Sequence, residues 1–307
     1  MAQSLVETGR FNITAISRPE SKSPIPGHVK IATADYSSHD NLVAALRGQD
    51  ALIITLSIFA PPNTQEALIR AAADAGVQWV LPNHWGVDVE DPAVRREVPA
   101  FEHSYATRGL IMDLGKSSML DVATGFWYEW SLAIPASFGF DFATKTATFF
   151  DDGEIKTSIS TWPQVGRAVA ALLSLPIKPE GGDKKRCLEH FRNQTIYVNS
   201  FTISQNEMLD SILRVTGDKA ADWTVKYEGT KERYAAAAKA LKDGTDKQAY
   251  VKMMYTRIFY DDGNGNFEAN RGLANEVLGL ENDDLDEATK RSIKRATEEQ
   301  APRLRHD

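Results

Sequence analysis

The sequence predicts an α/β fold: a doubly wound parallel sheet with helices on both faces, joined to a smaller, mainly helical part. Three observations carry this. From residue 11 to residue 124 short apolar runs alternate with helical patterns, the order that crossover connections between parallel strands produce. The run at 51–56 (ALIITL) is almost continuously apolar, as a strand covered on both faces requires. Gly48, Gly76 and Pro82 punctuate the pattern where an element must stop.

Taken in order, residues 11–17 (FNITAIS) and 29–34 read as strands, and 41–46 as a helix closed by Gly48. After the strand at 51–56, residues 64–75 form an alanine-rich helix with Ala67, Leu68 and Ala71 on one face and Gly76 as its stop. Residues 77–81 are the next strand, ending at Pro82. A polar loop leads to a helix at about 101–114 and a strand at about 118–124. Further on, 146–150 and 154–160 flank Asp151-Asp152-Gly153, which reads as a β-hairpin. Residues 163–175 make a helix with proline at its start, 195–199 a short strand, and 204–215 a helix stopped by Gly217. Residues 231–258 are helical with a break near Gly244, and 286–299 form a charged terminal helix. The Pro-, Gly- and Lys-rich stretch 176–186 reads as an exposed loop.

Composition narrows the function classes. The chain has 307 residues, 42% of them hydrophobic and 25% charged, ordinary values for a globular protein with room for a large core. A net charge of −7 argues against a nucleic-acid or anionic-membrane partner, since both reward a basic face. Cys187 is the single cysteine, so no internal disulfide is possible and a reducing, cytoplasmic setting is expected. No apolar run approaches the ~20 residues that span a bilayer, and Met1–Glu7 has neither half of a signal peptide. The expected partner is a small-molecule substrate, with the protein a monomer or homodimer.

A doubly wound sheet collects its ligand beyond the carboxyl ends of the strands, so the residues there matter most. Several match one family in order and spacing. Leu5-Val6-Glu7-Thr8-Gly9 resembles the end of its first helix, Ile16-Ser17-Arg18-Pro19 the end of its second strand, and Ala34-Asp35-Tyr36 with 42–51 the stretch after its third. Gly76–Gly86 (GVQWVLPNHWG) is similar to its V-x-R-F-x-P-S-x-[FW]-G segment, and 125–132 (GFWYEWSL) resembles the pocket segment after its sixth strand. On these motifs, from Leu5 to about Gly217, the chain resembles the NmrA-type, isoflavone-reductase-like atypical short-chain dehydrogenases. The resemblance implies a Rossmann-like NAD(P)-binding domain over 1–135. It implies a substrate domain over 136–307, from which segments near 163–175 and 194–200 return to the Rossmann layer.

Two departures qualify the resemblance. The family opens with a strand and a GxxGxxG-type loop whose amides meet the cofactor pyrophosphate. Here the one G-x-G, Gly263-Asn264-Gly265, lies in a polar turn near the C-terminus and reads as structural. About 15–20 residues are missing by comparison, and the lost strand would be central. Each buried group left unpaired costs about 1–3 kcal/mol, against a whole-domain stability of roughly 5–15 kcal/mol. The expectation is a sequence begun at an internal methionine of a longer gene; a shortened relative with impaired cofactor binding is the rival. The second departure is the lysine by which isoflavone reductases handle the proton: the matching stretch, 101–108, has none. The Tyr-x-x-x-Lys pair Tyr227 and Lys231 falls in the wrong region and reads as chance.

Individual residues follow from position. Arg18, with Ser21 and Lys22 behind it, suits the 2′-phosphate of NADP(H), or is a solvated basic turn. Asp35 either bonds the adenine amine or caps the helix beginning near His39. Ser57, Ile58 and Phe59 leave the fourth family strand, where backbone passes the ribose and pyrophosphate. Asn83 and His84 stand beyond the fifth and point toward the nicotinamide, with His84 a proton donor or a hydrogen-bonded structural histidine. A metal reading of His84, Asp88, Glu90 and Asp91 lacks a second histidine at ligand spacing. His103, Ser104 and Tyr105 cover the place of the missing lysine, and Tyr105 is the candidate acid there or a surface residue. Gly125 and Phe126 follow the sixth strand beside the cofactor. Trp127, Tyr128 and Trp130 line an aromatic substrate pocket or simply pack the core. The resulting expectation is NADPH-dependent reduction of a carbonyl or conjugated double bond in secondary metabolism. The alternatives are a non-catalytic dinucleotide sensor and an inactive remnant.

Overall fold

The computed structural model describes residues 1–21, 25–27, 29–57, 60–61 and 63–298. The first half runs α1 (Ala2–Glu7), β1 (Thr14–Ser17), β2 (Lys30–Thr33), α2 (His39–Leu46), β3 (Ala51–Ile53), α3 (Thr64–Ala75), β4 (Trp79–Leu81), α4 (Pro92–Glu97), α5 (Pro99–Leu114) and β5 (Ser118–Ala123). There follow β6 (Phe126–Trp127), α6 (Tyr128–Ser131), α7 (Pro135–Phe138), β7 (Phe140–Asp141), β8 (Thr146–Phe150), β9 (Thr157–Ser160), α8 (Trp162–Leu173), α9 (Leu188–Phe191), β10 (Gln194–Tyr197), β11 (Phe201–Ile203) and α10 (Gln205–Thr216). The chain closes with β12 (Thr224–Glu228), α11 (Thr230–Asp243), α12 (Ala249–Arg257), α13 (Phe267–Arg271), α14 (Asn275–Leu278) and α15 (Leu285–Glu298).

The main sheet is parallel, in the order β10-β5-β4-β3. Side-chain alternation sends its two faces to different helices. Leu52, Ile54, Val80 and Met119 pack against Leu42 and Leu46 of α2, Leu68 and Ile69 of α3 and Ile111 of α5. Trp79, Leu81, Leu120 and Val122 pack on the other side against Ala168, Val169 and Leu172 of α8 and Leu188 and Phe191 of α9. Each fully buried aliphatic side chain contributes roughly 1.5–3 kcal/mol, more than a helix cap. The apolar stripes therefore decide where the helices lie. This three-layer arrangement is the expected doubly wound α/β fold. Residues 194–197 come back from far along the chain to extend the sheet, Gln194 opposite Leu120 and Tyr197 opposite Ala123.

The sheet is divided. β1 and β2 pair in parallel as a separate ribbon, and no ladder joins β1 to β3 among the described residues. Both still belong to one body, because Ile16, Ala34 and Tyr36 share a core with Leu52 and Ile54.

The second half differs from expectation in one clear way. Residues 151–153 do turn, with Asp151 at φ +52° and the Gly153 amide donating to the Phe150 carbonyl. The flanking strands nevertheless do not pair as a hairpin. β8 joins β12 in parallel and β7 in antiparallel, whereas β9 lies between β11 and β6 in another sheet. Every residue of β9 is buried, so it needs partners on both edges, which a two-stranded hairpin cannot supply. The turn serves instead as an anchor: the Asp151 carboxylate accepts from the Thr230 amide (2.9 Å) and hydroxyl (2.7 Å) at the start of α11. The half thus holds two small sheets beside its helices, around a core that includes Phe138, Phe140, Phe150 and Phe259. No described helix is long and apolar enough to cross a membrane.

Candidate active site

The loops leaving β3, β4 and β5 are tied to one another. Asn83, just past β4, accepts the Leu56 amide on Oδ1 (3.1 Å) and donates Nδ2 to the Leu56 carbonyl (3.2 Å). Its own amide donates to Gln65 Oε1 (2.6 Å), and Trp85 Nε1 donates to the Ile54 carbonyl (2.8 Å). Asn83 is therefore a bracket between two strand exits. On the other side, the amides of Thr124 and Gly125 both donate to the Gly86 carbonyl (2.9 Å each). Gly125 sits at φ +65°, and a Cβ there would collide with the Ser158 carbonyl, so the close approach of β5 and β9 demands glycine.

Beneath these loops lies a buried ionic cluster. His84 Nδ1 lies 2.8 Å from Asp121 Oδ1, and its Nε2 lies 3.0 Å from the Val87 carbonyl. Asp121, in the middle of β5, also accepts the Thr195 hydroxyl (3.0 Å) on Oδ2, which is ion-paired with Arg108 Nε 3.1 Å away. Arg108 reaches on to Glu90, which accepts Thr195 as well (3.0 Å). Asp88 accepts the Tyr197 hydroxyl (3.0 Å) and Arg271 Nε (2.9 Å). Burial pushes the His84 imidazole toward its neutral form, but the Asp121 carboxylate outweighs this and holds its pKa above the ordinary value. Burial likewise works against the Asp121 carboxylate, and His84 and Arg108 together keep its pKa below the usual range.

Residues 1–173, more than half of the chain, match the family described as NAD(P)H-binding. The chain belongs to this NAD(P)H-binding family. Among curated proteins it is 27% identical to an oxidoreductase, aprR, of Aspergillus flavus over 294 residues, covering 94% of this chain and 92% of that one. Among solved structures it resembles the leucoanthocyanidin reductase of Vitis vinifera, solved with NADPH, at TM-score 0.74 and 15% identity, with 95% and 94% of the two chains covered. An isoflavone reductase superposes at TM-score 0.72 and 17% identity over 94% and 93%. These likenesses establish the Rossmann-like fold. Cofactor class and relatives agree on an oxidoreductase.

The NAD(P)H-binding chain presents its other candidates unevenly. Arg18, at the exit of β1, has a 57% exposed side chain with Glu20 3.6 Å away. Tyr36 lies close enough to feel its charge and donates its hydroxyl to the Ile16 carbonyl (3.0 Å). An exposed cation at a strand tip is the kind of group that pairs with a phosphate. Asp35 does not cap α2; Ser38 does, and Asp35 closes its own turn by accepting the Ser37 amide and hydroxyl. Ser57 is exposed, while Lys22, Ile58 and Phe59 lie outside the described residues.

Tyr105 is 37% exposed on α5, its ring beneath Arg95 (3.7 Å) and near Arg108 (5.2 Å). Phe126 is buried and stacks on Tyr255 with centroids 3.8 Å apart. Trp127 is half-buried and donates Nε1 to the Thr124 hydroxyl (3.3 Å). Tyr128 is fully buried, its hydroxyl paired with Thr289 (2.8 Å). Trp130 stacks under Arg295 (4.5 Å). Asp91 caps α4 rather than joining a ligand cluster. Lys231 sits over the ring of Tyr260 at 3.3 Å, and Tyr227 is exposed. The structure thus gathers Asn83, His84 and Gly125 around one set of loops and leaves Arg18 and Asp35 on the separate ribbon. Sequence reasoning missed Asp121, Arg108 and Arg271. One signal was there: an aspartate inside the apolar strand SMLDVA must find a buried cation.

Proposed function

We propose that this protein is an NADPH-dependent reductase acting on a carbonyl or conjugated double bond of a small organic molecule in secondary-metabolite biosynthesis. The observation that carries the reading is the mutual bracing of the β3, β4 and β5 exits, which builds a rigid floor where such folds receive a dinucleotide. Arg18 binds the 2′-phosphate and selects NADPH over NADH. Bound NADPH would supply the hydride, and the protein contributes orientation and a shaped, drier pocket. Tyr105, at the place where related reductases carry lysine, is the residue for delivering a proton to the substrate oxygen. Phe126 and Trp127 border the substrate side, and an aromatic wall favours a phenolic or polyketide-like molecule. Kinship with an Aspergillus oxidoreductase supports the redox chemistry, and the lone buried Cys187 a cytoplasmic setting.

The test is NADPH oxidation followed spectroscopically with a panel of quinones and enones. Turnover that depends on both partners supports the reading. Tight NADPH binding without turnover on any member would replace it with a dinucleotide sensor, and absence of binding would overturn both.

A further inference from the structure

His84 is only 6% exposed, and both its ring nitrogens face acceptors. A carbonyl oxygen can only accept, and so can an ionised carboxylate. A neutral imidazole has a single N–H and would leave one nitrogen lone pair against an oxygen. The alternative, a protonated Asp121, is opposed by the Arg108 guanidinium, whose Nε lies 3.1 Å from its second oxygen, and by the Thr195 hydroxyl, which donates to that same oxygen. The charges around the histidine agree. Asp121 on β5, with Glu90 and Asp88 on the loop after β4, faces Arg108 on α5 and Arg271 on α13. Thr195 and Tyr197 of β10 add neutral hydroxyl donors, and Arg95 of α4 holds the Val89 and Glu90 carbonyls (2.7 and 3.0 Å). Arg95 is offset by Glu102 (3.1 Å), so three carboxylates stand against the guanidiniums of Arg108 and Arg271 until the imidazole carries the third positive charge.

The loop this arrangement holds is 82–91. Val87 gives its carbonyl to the imidazole, Gly86 gives its carbonyl to Thr124 and Gly125, and Asp88 and Glu90 reach β10, α5 and α13. We propose that His84 is a positioning residue, an imidazolium charged at neutral pH that clamps loop 82–91 onto β5 and so sets the reacting end of the crevice, releasing that loop when its proton leaves. The inference rests on the reductase reading only in naming that end of the crevice.

Two readouts on the full chain, without cofactor, test it. In the 15N-labelled protein the side chain of His84 is followed from pH 6 to pH 10 by through-bond correlation to its own backbone. Both ring nitrogens should remain protonated at about pH 8, where an ordinary histidine (pKa about 6.5) is neutral. Hydrogen exchange of peptides covering 82–91, referenced to peptides of α11, should accelerate as His84 loses its proton. In His84→Gln it should already be about tenfold faster at neutral pH. Where that variant fails to fold, the wild-type pH series decides alone. A single-proton tautomer at pH 7.5, or loop exchange that tracks α11 throughout the series, overturns the proposal. A protein that meets both expectations yet turns over no NADPH overturns the reductase reading and leaves the clamp standing.

Discussion

At the scale of single residues, Arg18 and Gly125 separate binding from architecture. Arg18 is bound to little else, so Arg18→Ala should leave folding intact and weaken NADPH. A hydrogen bond to a charged group is worth about 1.5–3 kcal/mol, which predicts a roughly 10- to 100-fold rise in Kd for NADPH with little change for NADH, read by fluorescence titration. Gly125→Ala should act in the opposite way. Its backbone lies in the left-handed region and its Cβ would strike Ser158, so stability should fall by about 2 kcal/mol or more in a denaturant midpoint. Much of the residue-level reading was open to sequence inspection only as position. Asn83 and His84 stand where expected, just past a strand, but which way a side chain turns is set by partners far along the chain. Asn83 meets Leu56, His84 meets Asp121, and neither distance in sequence carries a local signal.

Among elements, the parallel strands and their crossover helices were legible because apolar periodicity and glycine stops are local properties. The helix at Thr64–Ala75 ends at Gly76 in the left-handed conformation, as its sequence implied. Edge pairing was not legible. β12 alternates polar and apolar residues but is exposed at all five, so nothing in it names a partner, and the Asp-Asp-Gly turn carries the same signature whether its arms pair with each other or with distant strands. The β1–β2 ribbon is the weak element: among the described residues it is a two-stranded sheet with no further ladder partner, and its residues are half-buried or exposed. Amides of Ile31–Thr33 should therefore exchange well before those of Val80 and Leu120, whose strands have neighbours on both sides. Equal protection factors in the ribbon and the main sheet would refute this.

For the molecule as a whole, the buried ionic cluster shapes stability against pH. His84 is raised in the folded state, so its contribution is complete below about pH 6.5 and fades as pH climbs through its elevated value. Asp121 and Glu90 are lowered, so theirs is complete above about pH 4.5 and fades as pH falls through their depressed values. Thermal unfolding should show a plateau of Tm between these limits and a decline on either side; a maximum at alkaline pH would contradict the assignment. Two amides hang on the single carbonyl of Gly86, which leaves no slack between the turn after β4 and the aromatic segment after β5. Whatever shoulders Phe126 or Trp127 aside must tug on the turn that the imidazolium holds, so the shape of an incoming molecule is felt as alignment at the other end of the groove.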